Sequence, residues 1–154
     1  MTEAPSASTP ISPTDQAAYR HWTTDHARFG DTDRFGHVNN AVFATFCETG
    51  RVTVIHDPGR PLTPPGHIFV IAKLTLAFRA EMHWPGQVEI GTGLLRLGRT
   101  SFTLGQALYQ AGACTATAES VLVLIDNITR RAAPLPEATR AILRDYAIGD
   151  AVAG

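Results

Sequence analysis

The chain has 154 residues, 44% of them hydrophobic and 18% charged, with a formal net charge of −1, the make-up of one globular domain. Its 13 Lys and Arg and 14 Asp and Glu are scattered along the chain, which argues against the basic stripe of a nucleic-acid binder or a polybasic membrane anchor. No run approaches the ~20 apolar residues of a membrane span, and the opening residues lack the basic start and apolar run of a signal peptide, so a cytoplasmic protein is expected.

Residues 1–15, rich in Ser, Thr and Pro and poor in large apolar side chains, read as a flexible leader, with one domain over residues 16–154. A strand comes first. Then, from Asn39 or Asn40 as N-cap, Phe43, Phe46, Cys47, Gly50 and Val54 recur on one face of a 3.6-residue period, which predicts a helix buried on that face. It ends before Asp57-Pro58-Gly59, because proline removes a backbone donor and disfavours helix at the preceding residue. In IFVIAKLTLAFR, Ile68, Val70, Ala72, Leu74, Leu76 and Phe78 alternate, which predicts a strand with those six on its buried face. QVEIGTGLLRL, SFTLGQALYQ and TATAESVLVLI follow, separated by turn residues at the spacing of an antiparallel meander. PLPEATRAILRDYA then opens with prolines and sets Ala138, Ile142, Leu143 and Tyr146 at helical spacing.

A helix near the start of a long antiparallel sheet must bury its apolar face against that sheet, so the expected class is α+β, about five strands around one long helix. The sheet's remaining face and edges make self-association an expectation as well. Cys47 and Cys114 stand among small and apolar neighbours and read as reduced thiols of the core.

The chemistry concentrates in DTDRFGHVNN, residues 31–40. Asp31, Asp33 and Gly36 match three positions of a calcium loop. The loop fails at Phe35, which has no side-chain oxygen, and at Val42, where a bidentate Glu is needed. A transition-metal site built on Asp31, Asp33 and His37 would want further ligands, and His21 and His26 lack the spacing. The chain has no G-x-S-x-G, P-loop, G-x-G-x-x-G or C-x-x-C motif. What remains is a turn with a helix cap, or an acid beside a helix N-terminus whose backbone N–H groups stabilise developing negative charge.

The run FGDTDRFGHVNNAVFATFCE resembles the signature D-x-D-x-x-G-H-V-N-N-x-x-Y-x-x-x-F-E of small acyl-CoA thioesterases of the hotdog fold, the family that includes 4-hydroxybenzoyl-CoA thioesterase. LGRTSFTL and the order of strands add to the likeness, which spans roughly residues 21–145. The resemblance implies a curved antiparallel sheet wrapped around a central helix. It further implies a homodimer or homotetramer with active sites between subunits, and an acyl-CoA or acyl-carrier-protein thioester as substrate, with no cofactor and no metal. Carried over by position, Asp33 is the catalytic carboxylate, as nucleophile or general base, and the backbone N–H of Asn40 is the oxyanion donor. Glu48, about two turns further along the helix, is the reserve catalytic acid, because other hotdog thioesterases use a helix acid. Gly36, His37, Val38, Asn39 and Phe43 would surround the substrate, with His37 binding it, shuttling a proton, or packing and hydrogen-bonding to hold the loop. Asp31 reads as a turn-former or orienter. Phe43 departs from the signature's Tyr and removes a hydroxyl. Lys73, Arg79, Arg96 and Arg99 are cations that could meet coenzyme A phosphates. The competing functions are a hotdog enoyl-CoA hydratase or dehydratase, whose Asp and His flank an Asn-Pro absent here, and a non-catalytic acyl-binding module.

Overall fold

The computed structural model describes residues 12–149. Residues 1–11 of the expected leader lie outside the described residues, whereas residues 12–15 are tied to the domain. Tyr109 and Tyr19 donate their hydroxyls to Thr14 O and Pro13 O, each at 2.6 Å, and Asp15 caps the short turn Gln16–Ala18.

The elements in chain order are β1 (His21–Ala27), α1 (Asn40–Ile55), β2 (His67–Phe78), β3 (Gly86–Leu97), β4 (Ser101–Gln110), β5 (Ala113–Asp126) and α2 (Glu137–Arg144). The strands form one antiparallel sheet in the order β1-β3-β4-β5-β2, so β1 and β2 are its edges. The expected α+β layer pair is present: α1 lies on one face of the sheet because its apolar stripe must leave water. Phe43, Phe46, Cys47, Gly50 and Val54 are all buried, as their spacing predicts. Around the first half of α1 they pack with Met82, Val88, Ile90 and Leu108. Around the second half, Val54 and Ile55 pack with Leu94, Phe102, Leu104, Leu122 and Leu143. Arg51 is buried with them, and its Nη1 donates to Ser120 Oγ at 3.2 Å. No helix among the described residues is long and apolar enough to cross a membrane.

The alternation in β2 does not hold throughout. The register against β5 slips between Ile71 and Lys73, a β-bulge at Ala72. An extra residue in one strand reverses which side chains face the core beyond it. Leu74 and Leu76 therefore pack with the α1 cluster as expected, but ahead of the bulge it is Phe69 that packs inward, edge-on to Phe102 at 5.1 Å. Ile68 and Val70, expected on the buried face, belong to the opposite one, and Ala72 and Phe78, also expected there, are exposed. In α2, Leu143 is fully buried and Ile142 packs against the core, but Ala138 is exposed, and Tyr146, expected on the same helix, is buried just beyond its end at Arg144. The buried position is Thr139, whose hydroxyl donates to Leu62 O at 2.9 Å.

Both cysteines are free. Burial pushes the Cys47 thiol up to about 11, the charge of Arg51 opposing that only in part. Because the folded chain favours the neutral thiol, the stability this group contributes is complete below the ordinary thiol pKa. It is lost as pH climbs from there towards 11. In native protein at pH 8, a thiol reagent should therefore modify only Cys114, with Cys47 reacting after unfolding. Two thiols reacting at equal speed without denaturant would contradict this packing.

Candidate active site

The loop from β1 to α1 is held by short-range hydrogen bonds that its residue types predict. Asp31 Oδ2 accepts the Arg28 N–H at 2.7 Å, and Asp31 O accepts the Asn39 N–H at 2.8 Å, so Asp31 ties the loop's two ends together. Asp33 N–H donates to His37 O at 2.9 Å and Gly36 N–H to Asp33 O at 3.1 Å, closing a tight turn. At φ +87° Gly36 sits in the left-handed region that disfavours other residues. Asp33 Oδ1 accepts the Phe35 N–H at 2.8 Å. The carboxylate is thus fixed by its own turn, while the residue stays partly accessible. Val38, buried, donates its N–H to Met82 O at 2.7 Å and docks the loop on the β2–β3 connection.

Asn39 is the N-cap, its side-chain oxygen accepting from Ala41 N–H at 3.0 Å, and Val42 N–H returns to Asn39 O at 2.9 Å. Among the described residues the Asn40 N–H has no hydrogen-bond partner. It is one of the donors a helix leaves unsatisfied at its start, where the helix dipole adds positive character. Asn40 lines a cleft of about 330 Å³ together with His37, Phe43, Phe78, Glu81 and Met82. Phe43 and Phe78 meet edge-on at 5.1 Å and make its apolar floor.

Of the expected site residues, His37, Val38, Asn40 and Phe43 line this cleft, whereas Asp33, Gly36 and Asn39 belong to the adjoining loop and are not among its lining residues. The fold does not bring Glu48 there. Glu48 is exposed and lines a separate cleft of about 380 Å³ with Arg51, Ile71, Lys73 and Leu74. A third cleft, of about 400 Å³, opens between Tyr19, Arg79, Leu95 and Ile148 on the sheet face turned away from α1. It lies on the other side of the sheet from the N–H groups that begin α1. Arg79 is bound to the sheet by its Nε, which donates to Thr117 Oγ1 at 3.1 Å.

As residues of this cleft, Glu81, Phe78 and Met82 escape a sequence reading, because their strand-end segment carries no local motif and meets the loop through tertiary contacts, among them the Val38–Met82 hydrogen bond and the approach of His37 to Glu81. Among the described residues no group of three or more His, Cys, Asp or Glu side chains is placed to hold a metal ion.

The sequence matches the model of the Thioesterase-like superfamily over residues 27–143, which takes in the loop, α1 and the whole sheet beyond β1. The chain belongs to that superfamily. Its sheet and helix are the hotdog arrangement of these proteins. A Thermus thermophilus thioesterase, solved with coenzyme A and Zn, is 31% identical at a TM-score of 0.74, covering 84% of this chain and 95% of that one. A thioesterase-superfamily protein of Jannaschia is 27% identical at a TM-score of 0.72, with 80% of each chain covered. A Pseudomonas aeruginosa protein at 24% identity shares the fold, with a TM-score of 0.77 over 86% of this chain and 95% of that one. No curated protein matches the sequence.

Proposed function

We propose that this superfamily member hydrolyses an acyl-CoA thioester to a carboxylic acid and free coenzyme A. The observation that carries the reading is that Asn40, whose N–H has no hydrogen-bond partner among the described residues, lines a cleft with Phe43 and Phe78 at the end of the loop that also holds the turn of Asp33. A thioester is an activated acyl group, so its reaction needs chiefly a nucleophile in position and donors where the carbonyl oxygen becomes negative. The Asp33 carboxylate directs the attack, either on the carbonyl carbon itself or by orienting a water, and the Asn40 N–H receives the oxyanion. Phe43 and Phe78 take the acyl group. Coenzyme A bound to the Thermus relative supports the choice of carrier.

A second copy of the chain completes the site in this reading. β2 is an edge strand, it runs beside the clefts that hold Asn40 and Glu48, and it exposes Ile71 at 47% and Phe78 at 51%. Long edge strands with exposed apolar side chains are normally covered.

The test is a thiol-trapping assay over short, long, branched and aromatic acyl-CoAs and an acyl-carrier-protein thioester, with crotonyl-CoA hydration followed in parallel. Thiol release from at least one substrate is expected. Hydration without release would make the protein a lyase, and binding without turnover would make it an acyl-binding module.

A further inference from the structure

The clefts of Asn40 and Glu48 are separate but successive along one seam. α1 packs mainly over β1, β3 and β4, so a channel stays open between the helix and the edge strand β2. On the helix side Asn40 and Phe43 line the first cleft, and Ala44, Glu48 and Arg51 the second. On the strand side the order is Phe78, then Leu74. An acyl group held by Phe43 and Phe78, with its carbonyl at Asn40, therefore has the second cleft ahead of its far end.

Arg51 is the residue of that second cleft whose chemistry the fold leaves unmatched. It is 7% exposed, and a charge so far removed from water is costly unless something pairs with it. Among the described residues its one hydrogen bond runs from Nη1 to a neutral acceptor, Ser120 Oγ, and it forms no ion pair. Burial lowers the proton affinity of the guanidinium, with Cys47 and Glu48 opposing that effect from a distance. Nε and Nη2 have no acceptor among the described residues, yet neither is sealed from solvent, so this edge of the guanidinium is presented to the cleft that Arg51 lines. Two parallel N–H bonds on one edge match the two oxygens of a carboxylate. Lys73, exposed on β2, lines the same cleft, so two cations face the single carboxylate of Glu48 and leave it positive.

We propose that Arg51 is the specificity-determining residue of the site and that the thioester it selects carries a second carboxylate at the far end of its acyl chain. This rests on the thioesterase reading above. The substrate class is then an ω-carboxyacyl thioester, with Nε and Nη2 of Arg51 donating to its free carboxylate and Lys73 adding attraction at the mouth. Asn40 and Arg51 stand eleven residues apart on α1, about 16 Å of helix rise. Helical side chains lean back towards the N-terminus, which shortens the distance that the acyl chain must span. A medium-length diacid bridges the two groups, and a succinyl group is too short. The phosphates of coenzyme A do not compete for Arg51, because they are joined through sulfur to the other side of the carbonyl.

Two independent measurements test the assignment. In turnover, wild-type kcat/KM should favour suberyl-CoA over octanoyl-CoA and sebacyl-CoA over decanoyl-CoA by about 10–100-fold, the yield of charge-assisted hydrogen bonds, with no such preference for succinyl-CoA over butyryl-CoA. Arg51→Met should bring both longer ratios down to about one, and Glu48→Gln, which removes the opposing charge, should raise them about threefold. In the absence of any thioester, free sebacate should shift the Nε–H NMR signal of Arg51 in the wild type, and decanoate should leave it in place. This second measurement decides the matter alone if Arg51→Met does not fold. Wild-type ratios near one in both longer pairs, an Arg51→Met protein that melts normally and keeps the preference, or an Arg51 signal indifferent to sebacate would each overturn the proposal. Ratios near one together with a wild-type dimer that Arg51→Met splits into monomers would give the guanidinium to a carboxylate of the second copy instead. Wild-type protein inactive on every thioester would sink the thioesterase reading, and the sebacate titration would still decide whether Arg51 takes a carboxylate.

Discussion

Asp33→Asn should lower kcat for thioester hydrolysis about 10³-fold and leave the melting temperature within a degree or two of the wild type. The asparagine oxygen can still accept the Phe35 N–H that Asp33 Oδ1 takes at 2.8 Å, so the turn survives and only the negative charge is removed. Amide oxygen is a far poorer nucleophile and base than carboxylate, so the loss falls on the chemical step. Asp31→Ala is the informative companion. It deletes the acceptor of the Arg28 N–H and should cost about 1–2 kcal/mol of stability, with a smaller loss of kcat. Thiol-release kinetics and thermal melts on the same preparations decide between the two acids. Full activity in Asp33→Asn together with inactivity in Glu48→Gln would move catalysis to the helix acid and its separate cleft.

Gly50→Ala should destabilise the fold by about 2–3 kcal/mol, although alanine is the better helix former by about 1 kcal/mol. A Cβ at this position would stand 2.6 Å from Gln106 Nε2, 2.6 Å from Ile90 Cγ2 and 2.9 Å from Thr92 Oγ1. Gln106 is fully buried, and its Nε2 donates to Cys47 O at 2.9 Å and to Thr92 Oγ1 at 3.1 Å. The amide cannot swing aside without breaking both bonds inside the core, so α1 must lift from β3 and β4 instead. Urea unfolding of the two proteins gives the difference directly. An unchanged or raised midpoint would show that the contact between helix and sheet is looser than these distances state.

The two expectations rest on different ranges of information. The loop that carries Asp33 is legible because its bonds are short-range. Asp33 reaches Phe35, Asn39 reaches Ala41 and Asp31 reaches Arg28, each spanning two or three residues, and Asp, Asn and Gly favour such turns in any context. The buried face of α1 is legible for a similar reason, since a 3.6-residue period is printed in the order of its side chains. Gly50 belongs to that face by its spacing, but why it must be glycine depends on Gln106, 56 positions away in β4.

By itself, then, the sequence determined the class of fold, the boundaries of α1, the capped turn and the resemblance that names the superfamily, all properties of local order along the chain. Tertiary structure decided the rest. The bulge at Ala72 turned Ile68 and Val70 away from the core, because register against β5 is a relation between two strands and not a property of one. Folding also set Glu48 on a cleft with Arg51 and Lys73, separate from the one that Asn40 lines at the start of the helix. And it delivered Glu81 to His37 through a hydrogen bond between Val38 and Met82, residues that no local spacing relates. Contacts of that kind are made only when separate elements bury their apolar faces together, which is where the pairing of loop and strand end is chosen.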